Sequence, residues 1–303
     1  MGSSVCWGFA DFVGGVQSRR LGVLRVLVVS QLVGWASAFV LVLVSGDSPP
    51  PFHYLLIAAA GGVAGLIALA AFYHALSVGT MSIVAPISST GAAVPVIVGL
   101  ASGEHPGAVR LAGIGAAVVG VVLASREGGG AGAGGGVGSG SGDGSGSGVG
   151  SGSGVGSGPA VAGSRADRWQ VPLALGAALG FGVFFVAMDR AARGGVLWAL
   201  VGARSADLPL LVGAAVFARM RLPSGGARAL VPLLAVGVLD VLANGLYAWG
   251  TTLGLLSVVA VLGSLYPVAT VLLARALLSE RVRRVQEVGI AVVLAGVALI
   301  AAG

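Results

Sequence analysis

Asp240 is the residue whose setting says most about chemistry. It lies in Gly237-Val-Leu-Asp240-Val-Leu-Ala-Asn244, in the middle of a long apolar run. A carboxylate at the centre of a bilayer costs at least ~2.5–3.5 kcal/mol on insertion scales, so it must face a protein interior or a water-filled cavity. Asn244 and Tyr247 follow at i+4 and i+7, which places all three side chains on one helix face. Such a stripe can receive a polar solute or carry a proton. A structural hydrogen bond or ion pair between helices is the competing reading. Arg204 and Asp207, at i and i+3, can neutralise each other locally; alternatively Arg204 pairs with Asp240 or receives an anionic substrate. Asp11, in the first apolar segment, carries the same ambiguity.

The run Ser88-Ser89-Thr90 follows Pro86 and could line a cavity, with Ser264 and Tyr266 as rough counterparts in the second half of the chain. It could equally tie helices together at about 0.6 kcal/mol per contact. Proline removes a backbone donor and frees the carbonyl four residues earlier. Pro95 would free Gly91, Pro267 would free Gly263, and Pro86 would free Ser82. Helices interrupted at corresponding places in two repeats point to a binding site; a simple bend is the alternative. Glu104 and Glu280 sit at segment ends and read as interface caps.

Much chemistry is excluded. There is one cysteine, Cys6, so no internal disulfide or cysteine metal cluster can form, and His53, His74 and His105 have no ligand spacing. No metal site and no cofactor is expected. No P-loop, HExxH or GxSxG pattern occurs, so the chain does not read as an enzyme. Energy for uphill transport would come from a gradient. The net charge of +6 comes from 17 basic residues, all arginine. Most of them cluster at the ends of apolar runs, where basic residues anchor membrane helices, so nucleic acid is not an expected partner.

These residues must be carried by membrane helices. The chain is 56% hydrophobic and only 9% charged over 303 residues, against roughly 25% charged in a soluble domain. Ten apolar segments are legible, at about residues 3–18, 24–45, 54–76, 80–101, 108–125, 170–188, 196–218, 230–250, 256–278 and 285–302. Most reach the ~20 residues needed to cross a bilayer. The first is short, which suggests either a tilted helix or a start placed too late. Residues 127–168 are mostly glycine and serine and read as a flexible linker. It separates a first five-helix half, 1–126, from a second, 169–303.

The halves resemble each other. Ser77-Val78-Gly79-Thr80-Met81-Ser82-Ile83-Val84-Ala85 corresponds to Thr252-Leu253-Gly254-Leu255-Leu256-Ser257-Val258-Val259-Ala260, and Glu104 corresponds to Glu280. Five crossings bring the chain out on the opposite face, so the second repeat starts inverted relative to the first, a common transporter plan. The loop arginines favour both termini outside.

The pattern resembles the drug/metabolite transporter superfamily, specifically its ten-helix EamA-type permeases. The resemblance rests on Trp7-Gly8-Phe9, on the stretch from Pro86 to Glu104, and on Pro267 to Glu280. It implies an all-α polytopic fold of two inverted five-helix repeats and solute transport, often efflux, with both termini inside. Pro267 keeps the usual spacing to Glu280, whereas Pro95 lies about one turn too near Glu104. The expected function is a secondary transporter of a small metabolite or amino-acid-type solute, acting by alternating access in the bacterial inner membrane. Its expected partners are the bilayer, the solute and a proton or other coupling ion. Oligomeric state stays open. A non-transporting membrane scaffold or assembly subunit is the alternative.

Overall fold

The structure, a computed structural model, describes residues 1–78, 81–124, 165–220, 226–278 and 284–302. The first half comprises α1 (Gly2–Leu21), α2 (Val23–Ser45), α3 (Phe52–Val78), α4 (Met81–Ser89), a 3-10 turn (Thr90–Ala92), α5 (Ala93–Ala101) and α6 (Ala108–Ala124). The second comprises α7 (Arg165–Ala192), α8 (Val196–Phe217), α9 (Gly226–Leu253), α10 (Leu256–Gly263), α11 (Tyr266–Leu278) and α12 (Arg284–Ala302). With α4–α5 and α10–α11 each taken as one interrupted column, each half holds five. The fourth column of each is broken near its middle.

Why these stretches are helices in a membrane is plain from the surface. Val44, Phe217 and Leu253 are 80%, 92% and 71% exposed, while Gln31, Asp207, Asn244 and Ser257 are buried. Apolar outside and polar inside is stable only where the surrounding solvent is hydrocarbon. Five helical stretches are long and apolar enough to cross a bilayer by length and composition: Val23–Ser45, Phe52–Val78, Val171–Ala192, Val196–Phe217 and Leu230–Leu253. The protein is a multi-pass membrane protein.

Three boundaries differ from expectation. The first segment is not short: α1 runs for 20 residues, about 30 Å at 1.5 Å per residue. Its polar start is held by the second half, where the Ser4 hydroxyl donates to the Leu262 carbonyl and α1 packs on α9 and α11. Next, α7 begins at Arg165, so residues 165–168, read as linker, are helical. The rest of the expected linker lies outside the described residues. Finally, α4 runs unbroken from Met81 to Ser89, so no break occurs at Pro86. The missing donor there concerns the carbonyl of Ser82, in the first turn of α4, where the helix has only just begun.

The other two prolines act as expected. Pro95 is the third residue of α5, and the 3-10 turn before it contains Gly91. Pro267 is the second residue of α11, and α10 stops at Gly263. In both cases the helix gives way at the glycine four residues before the proline; the Gly91 carbonyl takes the Ala93 N–H instead.

The halves are packed reciprocally. α3 lies on α7 as α9 lies on α1; α3 lies on α8 as α9 lies on α2; α2 meets α8, and α6 meets α12. This is the contact pattern of a two-fold relation between repeats. One-residue connections need unusual backbone, and Gly22, alone between α1 and α2, has φ +84°. A side chain is rarely tolerated in that region.

Candidate functional site

Asp11, Arg204 and Asp240 come from the middles of α1, α8 and α9 and line one cavity. Close helix approach makes this possible. A Cβ on Gly62 of α3 would collide with the Ala203 backbone beside Arg204, and one on Gly237 would collide with the Ser30 carbonyl of α2. Small residues at these crossings bring the four helices close enough for a single guanidinium to reach three of them.

Arg204 is 7% exposed. It donates to the Gln31 side chain of α2, to Asp240 Oδ2 of α9, and to Asp207 Oδ2 one turn along its own helix at 3.4 Å. Asn244 Nδ2 donates to the Asp240 carbonyl at 2.7 Å and to Asp240 Oδ1 at 3.2 Å. Both readings of Arg204 as a pairing residue are therefore realised at once. Asp11 stands apart. It is 7% exposed and faces the same cavity. No hydrogen bond to its carboxylate is made among the described residues, and Asp240 lines the same cavity.

The rest of the wall is aromatic. Trp7 of α1, Phe181, Phe184 and Phe185 of α7, and Tyr266 at the start of α11 line the cavity. Trp7 and Phe185 have ring centroids 5.3 Å apart, and Tyr247 backs them at 5.8 Å and 4.7 Å respectively. Tyr247 donates to the Phe185 carbonyl at 3.4 Å, and Tyr266 to the Ala85 carbonyl at 3.3 Å. The break in α10–α11 adjoins this wall, since a Cβ on Gly263 would lie 3.3 Å from the Trp7 ring and 3.2 Å from Tyr247. The cavity has a volume of about 40 Å³. That is room for about three waters.

Of the sequence candidates, Asp11, Arg204, Asp240, Asn244 and Tyr266 line this cavity. Asp207 supports it through Arg204 and Tyr247 through the aromatic rings. The serine and threonine cluster does not join them. Ser88 donates to the Ala174 carbonyl of α7 at 3.4 Å, and Thr90 to the Ile87 carbonyl of its own helix at 2.6 Å. Ser89 and Thr90 instead border a second, mostly apolar cavity with Ser264. Residues rotate by 100° per position on a helix, so three consecutive ones cannot share a face. The structure adds Gln31 and the aromatic residues Trp7, Phe181, Phe184 and Phe185. Gln31 had a signal of its own, as an amide within an otherwise apolar run. No group of three or more metal-capable side chains occurs among the described residues.

The halves also meet at one charged contact away from the cavity. Glu104, after α5, accepts the backbone N–H groups of Leu256 and Ser257 at 2.6 Å and 3.0 Å. Glu104 is a cap as expected, but of a helix in the other repeat. Glu280 lies outside the described residues.

Comparisons with known proteins agree with this architecture. The model of the EamA-like transporter family matches residues 1–126 and 168–302. A solved crystal structure superposes with a TM-score of 0.68 at 17% identity, covering 98% of this chain and 94% of its own, which establishes a shared fold. No curated protein matches the chain.

Proposed function

From the premise that this chain belongs to the EamA-like transporter family, we propose that it is a secondary transporter that exports a small organic solute by alternating access between its two inverted repeats. The family consists of membrane permeases for small solutes. What supports the finer reading is the convergence of Asp11, Arg204, Asp240 and Asn244 on one mid-membrane cavity whose walls come from both halves. Buried charge is expensive in hydrocarbon and is retained where it serves a solute or ion path. Reciprocal packing lets one repeat rock against the other around that point. The cell membrane of a bacterium is its proposed location.

The driving force in this reading is a proton gradient. Asp240 is held by Arg204 and Asn244, so Asp11, which has no such partner, is the better proton carrier. In proteoliposomes Asp11→Asn should abolish dependence on the pH gradient.

The test of transport itself is comparative metabolite profiling of cells and medium, with and without overexpression. Wild-type protein should raise at least one solute in the medium, and Arg204→Lys, expressed to the same level in the membrane, should not. Lysine cannot reproduce the three-way donor geometry of the guanidinium. Identical profiles for both proteins and for empty cells would leave the scaffold reading in place.

A further inference from the structure

We infer that the solute is an organic cation, whose ammonium group is received by Asp11 while its apolar body stacks on the Trp7–Phe185 wall. This rests on the cavity being the solute site of a transporter.

The charge census carries the argument. Among the described residues, buried Asp11 and Asp207 and half-buried Asp240 share one cluster with the Arg204 guanidinium. Arg204 already answers Asp207, Asp240 and Gln31, so its charge is more than balanced by the carboxylates bonded to it. An anionic solute would have to displace an aspartate from Arg204 and then sit beside the carboxylates it had displaced. Asp11 lies 93% buried on the cavity wall, hydrogen-bonded to none of the described residues. The groups that face it are Asp240 and Arg204, already joined to each other, and the phenols Tyr73 of α3 and Tyr266 of α11. The one cation in this set, Arg204, is held by Asp207 and Asp240 and makes no bond to Asp11 among the described residues. A buried carboxylate without a partner is costly; a proton removes that cost in the empty site, and an ammonium group that displaces the proton removes it in the loaded one.

The wall suits the same ligand. Aromatic faces carry negative electrostatic potential and attract cations, most strongly where water is excluded. Trp7, Phe181, Phe184, Phe185 and Tyr266 present such faces around the carboxylate. A neutral apolar solute would gain from the rings but would leave Asp11 unanswered. An ammonium group on an apolar body answers both.

Three probes with one skeleton and different charge separate these cases: phenylethylammonium, phenylethanol and phenylacetate. Binding to the purified full-length protein is measured by calorimetry. Phenylethylammonium should bind more tightly than either of the others. Asp11→Asn should weaken it by about tenfold or more, the loss expected for one charge-assisted contact in a dry site, and Asp11→Glu should restore most of it. Each variant is first checked for a monodisperse elution profile, and Trp7→Ala, which keeps every charge, should weaken the cation and phenylethanol together. The inference is overturned if phenylacetate binds as well as the ammonium, if the ammonium does not bind, or if Asp11→Asn binds it like wild type. The assay needs no transport, so its failure and a failure of the export experiment are distinguishable.

Discussion

Glu104 accepts the backbone N–H of Ser257 at 3.0 Å, joining the end of the broken column in one repeat to the start of the broken column in the other. The second carboxylate oxygen takes the N–H of Leu256 at 2.6 Å. The first N–H groups of a helix have no intrahelical partner, and the positive end of the helix dipole favours an anion there. One side chain therefore completes α10 and ties the halves together on one side of the cavity. Beside it, Val96 of α5 and Val258, Val261 and Leu262 of α10 belong to one apolar cluster, so the charged tie adds to a packed contact between the repeats.

Glu104→Ala should weaken this tie by about 1.5–3 kcal/mol, the worth of a hydrogen bond to a charged group. Roughly tenfold or more of the population would then shift away from the closed arrangement. With Cys6 replaced by serine and Leu256→Cys introduced, a membrane-impermeant thiol reagent should label the Glu104→Ala protein faster than its parent. Equal labelling rates in the variant and its parent would show that the contact is not a latch.

Arg204→Ala should be among the most damaging single substitutions. It removes the partner of Asp207 and Asp240 together, and breaking one side of a buried pair costs about 3–5 kcal/mol. The folded yield in detergent should fall sharply. Replacing Arg204 by methionine with Asp207→Asn and Asp240→Asn should recover much of that yield, because no buried charge is then left alone. Transport should not return. Recovery of transport in the triple variant would show that the cluster serves stability only.

The helices were legible in the sequence because hydrocarbon demands long apolar runs, and the two-repeat plan because Gly79 to Ala85 and Gly254 to Ala260 resemble each other. The meeting of Arg204 with Asp240 was legible as one of two alternatives, since a midplane carboxylate needs a partner. What escaped was anything set by helix rotation and depth. Trp7 was visible as a motif residue, but only packing shows that its ring lies against Phe185 in the cavity wall. The Ser88–Thr90 cluster looked like a site because polarity is rare in this chain. Each hydroxyl proved satisfied by a nearby carbonyl, or placed beside another cavity. The length of α1 was missed mainly at its far end, where Arg19 and Arg20 close the apolar run but the helix continues to Leu21.

Gly62→Ala should reduce folded yield more than a methyl group ordinarily does, because the new Cβ would collide with the Ala203 backbone. Main chain cannot move aside as a flexible side chain can, so α3 and α8 would separate and carry Arg204 off its partners. Gly115→Ala is the control, since a Cβ there meets nothing within 4 Å. It should be neutral or slightly stabilising, as alanine is favoured over glycine in a helix by about 1 kcal/mol. Thermal-shift measurements in detergent compare the two. Similar behaviour of the two variants would mean that the α3–α8 crossing tolerates widening and that glycine there is not what seats the arginine.

Pro267→Ala tests whether the break in the second repeat is a working part. Alanine restores a donor for the Gly263 carbonyl, worth about 0.5–1.5 kcal/mol, and removes the ring that stops α10 and α11 from joining. The column should straighten, and Gly263 sits where Trp7 and Tyr247 meet it, so the aromatic wall would be held in one arrangement. The expected result is a lower turnover number in proteoliposomes with little change in the concentration for half-maximal transport, since solute contacts are kept while motion is impeded. Pro86→Ala serves as the comparison. Its helix already runs unbroken from Met81 to Ser89, so turnover there should stay near the wild-type value. If both prolines can be replaced without loss of turnover, the interruptions are relics of packing, and movement must be absorbed at the helix ends.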